Sequence, residues 1–231
     1  MNIAQFSLQE QAVIFLAALV LFTSFALLAQ QRILASIHVF AWQGFLVAGS
    51  TALIALTSGQ HHLYFSALLT LVLKAMLLPW MLHRLVRRLG IAHQIETVVR
   101  PAMILLAAAA LVVFSYYVAL PIEKLSALST RNTIAISMAV VLIGMLMMVS
   151  RRQAVSQVIG FMSMENGLFF VAVVSTHGMP MVVELGIAFD VLVAAVLFGV
   201  FFFQIRDSIE SLDVDRLNRL SESEEPNGTQ E

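Results

Sequence analysis

Residues 63–85 read LYFSALLTLVLKAMLLPWMLHRL, a run of 23 residues that is predominantly apolar, with Ser66, Thr70, Lys74 and Pro79 inside it and His83 and Arg84 at its end. As a helix rising about 1.5 Å per residue it would extend roughly 35 Å, enough to cross a hydrocarbon core of about 30 Å. Six further apolar runs surround it: Leu8–Ala29, Ile33–Thr57, Pro101–Leu120, Asn132–Val149, Ala154–Thr176 and Pro180–Ile205. Of the 231 residues, 60% are hydrophobic and 12% charged, with mean hydropathy +0.90. A soluble domain carries about twice that share of charge, so lipid is the expected solvent. Lipid cannot satisfy open backbone groups, so each run must be helical. The alternating segments of a membrane barrel do not occur. The sequence predicts an all-α integral membrane protein with about seven transmembrane helices.

Placement of basic residues predicts the orientation. With the N-terminus outside, inward loops hold ten of the thirteen Lys and Arg: Arg32, Arg84, Arg87, Arg88, Arg100, Arg151, Arg152, Arg206, Arg216 and Arg219. Outward loops hold Lys124 and Arg131, and Lys74 lies within a span. This bias over short loops reads as N-out, C-in. No Lys or Arg precedes Arg32, so the first run is expected to stay as a span. Residues 1–206 form the expected polytopic domain. Residues 207–231 form an acidic cytoplasmic tail, in which Ile209, Leu212, Leu217 and Leu220 offer one apolar stripe. That tail reads equally well as a solvated end or as a docking strip.

The chain has no cysteine, which excludes disulfides, thiolate zinc sites, iron–sulfur ligation and cysteine nucleophiles within it. A net charge of −1 provides no field for nucleic acid. No phosphate loop, nucleophile elbow or HExxH motif is present, so no catalytic or metal centre is expected in this chain.

The chemistry therefore rests on charges inside the membrane. Lys74, Glu165 and Asp190 each fall roughly ten residues from a span end, hence about 15 Å deep. Burying a charge there costs at least about 2.5–3.5 kcal/mol. Such groups are paired, neutralised by a proton, or set against a hydrated path. The packing reading is an interhelical ion pair, and the functional reading is a proton or ion relay. Glu184 lies nearer the outer end of the last run and is a peripheral candidate. Pro79 cannot donate to the carbonyl of Ala75, so a helix break is expected beside Lys74. Ser156, Gly160, Ser163 and Gly167 recur at helical spacing and form a face that admits a close helix neighbour. His38 and His83 lie near the inner ends of their runs, an arrangement open to a bis-histidine haem but not specific for one.

Several motifs together resemble the hydrogenase-4 component E family. They are Val155–Val171 with Met164-Glu165-Asn166-Gly167 at its centre, Val183-Glu184-Leu185-Gly186-Ile187-Ala188-Phe189-Asp190, Leu73-Lys74-Ala75-Met76-Leu77-Leu78-Pro79, and Leu212-Asp213-Val214. The resemblance covers about residues 10 to 220. It implies a non-catalytic, polytopic subunit of a membrane-bound, energy-converting hydrogenase complex of the formate hydrogenlyase type, related to respiratory complex I. Residues 131–206 are similar to the K subunit of bacterial complex I and the C subunit of multisubunit sodium/proton antiporters. Implied partners are large antiporter-like membrane subunits, a complex I-type anchor subunit and peripheral hydrogenase and iron–sulfur subunits. Any nickel–iron centre and iron–sulfur clusters would belong to those partner chains.

By this resemblance Lys74, Glu165 and Asp190 join a polar axis at mid-membrane depth, with Glu184 at its edge. Leu212, Asp213 and Val214 become docking candidates, and the location is a bacterial or archaeal cell membrane. The K-subunit pattern sets its second-helix glutamate opposite Met162, one turn from Glu165. A spacer that only joins the redox and antiporter-like modules, and a subunit of a cation/proton antiporter without hydrogenase, are the alternatives. A self-sufficient transporter fits less well, because seven spans do not split into matching halves.

Overall fold

The computed structural model describes residues 8–58, 61–89, 95–121, 128–175, 186, 188–196 and 199. The chain divides into two compact units, Met1–Val191 and Leu192–Glu231. In the first unit, α1 covers Leu8–Ala29 and α2 Ile33–Ser58. The third span is composite: α3, His61–Thr70, passes into a π-helical segment, Leu71–Leu77, and then into α4, Leu78–Leu89. α5 is Pro101–Ala119, α6 is Leu128–Ser150 and α7 is Ala154–Ser175. Gly186 and residues 188–191 are also helical; in the second unit residues 192–196 and Gly199 are helical. Six of these helices are long and apolar enough to cross a membrane, and they coincide with the first six apolar runs. Most of the seventh run, Glu184 with it, lies outside the described residues. So do Leu212, Asp213, Val214 and the whole acidic tail.

The helices pack with α6 against α7 as the most extensive pair, and with α1, α2 and α5 arranged around them. Glycines set the closeness of that pair. A Cβ at Gly144 of α6 would lie 2.6 Å from the backbone nitrogen of Met164 in α7. One at Gly160 would lie 3.1 Å from the Gly144 carbonyl, and one at Gly167 3.0 Å from the Ser137 carbonyl. The small-residue face of the sixth run is therefore a backbone-to-backbone seam, where dispersion contacts replace the hydrophobic drive that lipid removes. A core of Val20, Val47, Ile54, Ala55, Val140, Phe169 and Val173 joins α1, α2, α6 and α7. Large apolar side chains such as Phe22, Leu106 and Val149 are exposed on the outside of the bundle, as a lipid-facing surface allows.

The end of the bundle expected to face inward is closed by Arg151. The sequence reading counts it among the topological charges, yet its side chain is only 2% exposed. Its Nη2 donates to the carbonyls of Leu28 and Gln30, at 2.6 and 2.8 Å. Its backbone pairs with Thr97 in an isolated bridge, and Val98 N–H donates to Ser150 O at 3.0 Å. α1 and α6 both end here, each with unpaired carbonyls and the negative end of a helix dipole. The Arg151 guanidinium supplies donors to the C-terminal carbonyls of α1, and the Val98 N–H supplies one to the last carbonyl of α6. Burial lowers the Arg151 pKa from the ordinary arginine value, by desolvation.

Replacing Arg151 by Gln should cost roughly 1.5–3 kcal/mol, the scale of a charged hydrogen bond. Thermal unfolding in detergent should therefore shift clearly down for Arg151→Gln. The exposed neighbour Arg152 supplies the control, and Arg152→Gln should unfold like the wild type.

Candidate functional site

Pro79 dictates the local structure from which the site is built. A proline offers no N–H, and in an unbroken α-helix its ring would press on the carbonyl four residues earlier. The chain resolves this conflict by changing register rather than by a simple break. Over Leu71–Leu77 it is π-helical, and the N–H of Leu78 donates to Leu73 O, five residues back. Such insertions accommodate one extra residue in a turn and recur at functional positions. Lys74 lies in the middle of this widened turn and is fully buried.

The Lys74 ammonium meets both candidate carboxylates. Nζ donates to Oε2 of Glu165, which α7 supplies, forming a buried ion pair. Oδ1 of Asp190, on the helical residues 188–191, lies 3.4 Å from the same nitrogen. The Phe169 ring completes the surroundings, with its centroid 5.1 Å from Nζ. Glu165 and Asp190 are 8% and 2% exposed. The structure thus brings together the three mid-span ionisable residues of the sequence reading. One ammonium faces two carboxylates.

Energetics explain why they must meet. Desolvating each ion costs several kcal/mol, and a contact at about 4 Å returns about 4 kcal/mol at an effective dielectric near 20. A lone charge at this depth would therefore be strongly unfavourable, whereas an ammonium shared by two carboxylates approaches balance. Oε1 of Glu165 and Oδ1 of Asn166 have no hydrogen-bond partner among the described residues.

A second polar line, absent from the sequence reading, continues from α7 into α2 and α1. Asn166 Nδ2 donates to Gln43 Oε1 at 3.3 Å, and Gln43 Nε2 donates to Ser24 Oγ at 2.8 Å. Ser24 Oγ in turn donates to Val20 O at 3.0 Å. All three side chains are buried. The adjacent residue, Gly44, packs on the π-helical turn itself: a Cβ there would sit 3.1 Å from the carbonyl carbon and from Cβ of Lys74. The signal lay in the sequence as a glutamine ten residues after Ile33, followed by a glycine. An uncharged amide at mid-span also needs protein partners, and a survey of ionisable groups alone passes over it.

His38 and His83 stand edge-on to each other on α2 and α4, with ring centroids 6.0 Å apart. His38 Nδ1 is 2.7 Å from Leu34 O. Among the described residues no group of three or more His, Asp or Glu is placed to hold a metal ion.

These features define a polytopic helical membrane protein organised around an intramembrane charge cluster, and relatives exist for nearly its whole length. The chain is 34% identical over 187 residues to the uncharacterized protein Rv0085 of Mycobacterium tuberculosis, covering 80% of this chain and 85% of that one. It is 25% identical over 205 residues to hydrogenase-4 component E of Escherichia coli, covering 89% and 95% respectively, and the Shigella flexneri protein of that name matches equally. The chain belongs to one family with the Mycobacterium tuberculosis protein and is homologous to hydrogenase-4 component E. No family model and no solved structure matches it.

The two glycines of α2 test the packing at Lys74. Gly44→Ala should destabilise the protein by about 1–3 kcal/mol, because the added methyl presses on the Lys74 backbone. Gly49 has nothing within 4 Å, so Gly49→Ala should be neutral or stabilising by about 0.5–1 kcal/mol. Unfolding of the two variants in detergent separates the cases.

Proposed function

We propose that the chain is a non-catalytic membrane subunit of a complex I-related, energy-converting hydrogenase complex, and that Lys74, Glu165 and Asp190 carry one segment of its proton or ion translocation. The observation that supports this reading is the fully buried Lys74 ammonium in contact with two buried carboxylates from separate elements. Intramembrane ionisable groups default to pathways, because their burial is costly without one. Homology to hydrogenase-4 component E supports the complex, and the motifs of residues 131–206 support a K-subunit-like role beside antiporter-like chains. Hydrogen chemistry and its metal centres are assigned to partner subunits.

In this reading the work of the cluster is exchange of one positive charge. With both carboxylates ionised, the cluster carries one negative charge more than Lys74 offsets. A proton arriving on Glu165 weakens its bond to Lys74 and shifts the ammonium toward Asp190; departure of the proton reverses this. Coupling arises if neighbouring subunits change the relative cost of the two arrangements. Asn166, Gln43 and Ser24 hold α7 in register with α1 and α2 through hydrogen bonds of their own. Glu184, Leu212, Asp213 and Val214 retain their expected roles as a peripheral acid and a docking strip.

Substitution in the intact complex tests the relay. Glu165→Gln and Lys74→Met should each reduce proton pumping in inverted membrane vesicles at least about tenfold, with the complex still assembled. Normal pumping per turnover, with less complex recovered, would identify a spacer instead. Normal pumping at normal yield in both variants would remove the cluster from the pathway.

A further inference from the structure

The third span has one face that stays exposed along its length. Val72, Met76 and Trp80 succeed one another there at every fourth residue, Met76 64% and Trp80 54% exposed. Arg84, Arg87 and Arg88 continue the same stripe through the last turns of α4, and all three are exposed. The Arg84 guanidinium lies over the Trp80 ring, 5.3 Å from its centroid. The stripe thus passes from aliphatic to aromatic to basic.

Depth gives that order a meaning. Arg84 comes ten residues after Lys74, about 15 Å at helical rise, which is half of a hydrocarbon core of about 30 Å. With Lys74 at the middle of the span, Trp80 falls just inside one boundary of the core. The three arginines then stand at the level of the headgroups.

The surrounding chain does not offset their charge. No Asp or Glu occurs from Gln11 to Ile95, a stretch that includes α2, on which α4 packs. Arg84 and Arg87 form no ion pair among the described residues. A hydrated acidic segment, whether residues 207–231 or another protein, would meet the arginines and leave Met76 and Trp80 uncovered. A second copy on this face would bring the same basic charge. A zwitterionic lipid covers the apolar part with no net charge to give. An anionic phospholipid does both, with a phosphate for the guanidinium forks and an acyl chain for the stripe.

We infer that this face of the third span holds an anionic phospholipid, its phosphate on Arg84 and Arg87 and an acyl chain along Trp80, Met76 and Val72. The site is separate from the buried charge cluster and does not depend on the relay.

Fluorescence quenching tests this directly. The chain has two tryptophans, so Trp42→Phe, at a lipid-exposed position, leaves Trp80 as the sole one. The full chain is placed in phosphatidylcholine nanodiscs in which a minor fraction of the lipid has brominated acyl chains. That fraction is phosphatidylglycerol in one sample and phosphatidylcholine in the other. At physiological ionic strength the brominated phosphatidylglycerol should quench Trp80 at least about twofold more. Combining Arg84→Gln with Arg87→Gln should abolish the difference. Arg100→Gln and Arg152→Gln, at exposed basic positions on other parts of the chain, should keep it. Equal quenching by the two lipids overturns the inference. So does a difference that survives Arg84→Gln with Arg87→Gln, or one lost equally with Arg100→Gln and Arg152→Gln, which marks a general field. A difference that emerges only when the chain is ended at residue 206 makes the acidic tail the occupant and overturns it too.

Discussion

An ammonium in the middle of a membrane must be paired, and the arrangement around Lys74 follows from that requirement. The cost of removing Lys74 from water is met by Glu165 and Asp190, each brought in by a different element. The three surfaces must therefore approach one another at a single depth. Gly44 permits α2 to lie on the backbone of Lys74, and Gly144, Gly160 and Gly167 permit α6 to lie on α7, which carries Glu165. Phe169 contributes twice, as a ring near the ammonium and as a member of the core shared by four helices. Position of the charge and packing of the bundle are the same problem.

Much of the fold was legible because lipid imposes simple constraints. Run length and apolarity predicted Leu8–Ala29 with both ends as observed, and the starts of α2, α5 and α7 at Ile33, Pro101 and Ala154. α6 begins earlier, at Leu128 rather than Asn132, because polar residues at a membrane surface can continue a helix that hydropathy ends. The third span extends to Leu89 through basic residues for the same reason.

The site was half legible. Its three ionisable residues were evident from the cost of charge at depth, but Lys74 and Glu165 are 91 positions apart and no periodicity joins them. Pro79 announced a disturbed helix; the π-helical solution depends on how the surrounding turns absorb one missing donor, which no local rule fixes. Gln43 carries no charge, so the cost of ions at depth does not single it out. Arg151 was counted for topology while its side chain in fact caps α1, since the partner carbonyls of Leu28 and Gln30 are distant in sequence.

The central claim is that Lys74 and Glu165 form one energetic unit inside the membrane. A double-mutant cycle on unfolding in detergent, using Lys74→Met, Glu165→Gln and the pair, measures it directly. Lys74→Met alone leaves two buried carboxylates uncompensated and should cost about 3–5 kcal/mol. Adding Glu165→Gln should recover part of that loss, giving a coupling of about 0.5–3 kcal/mol. Strict additivity of the two single variants would contradict the account.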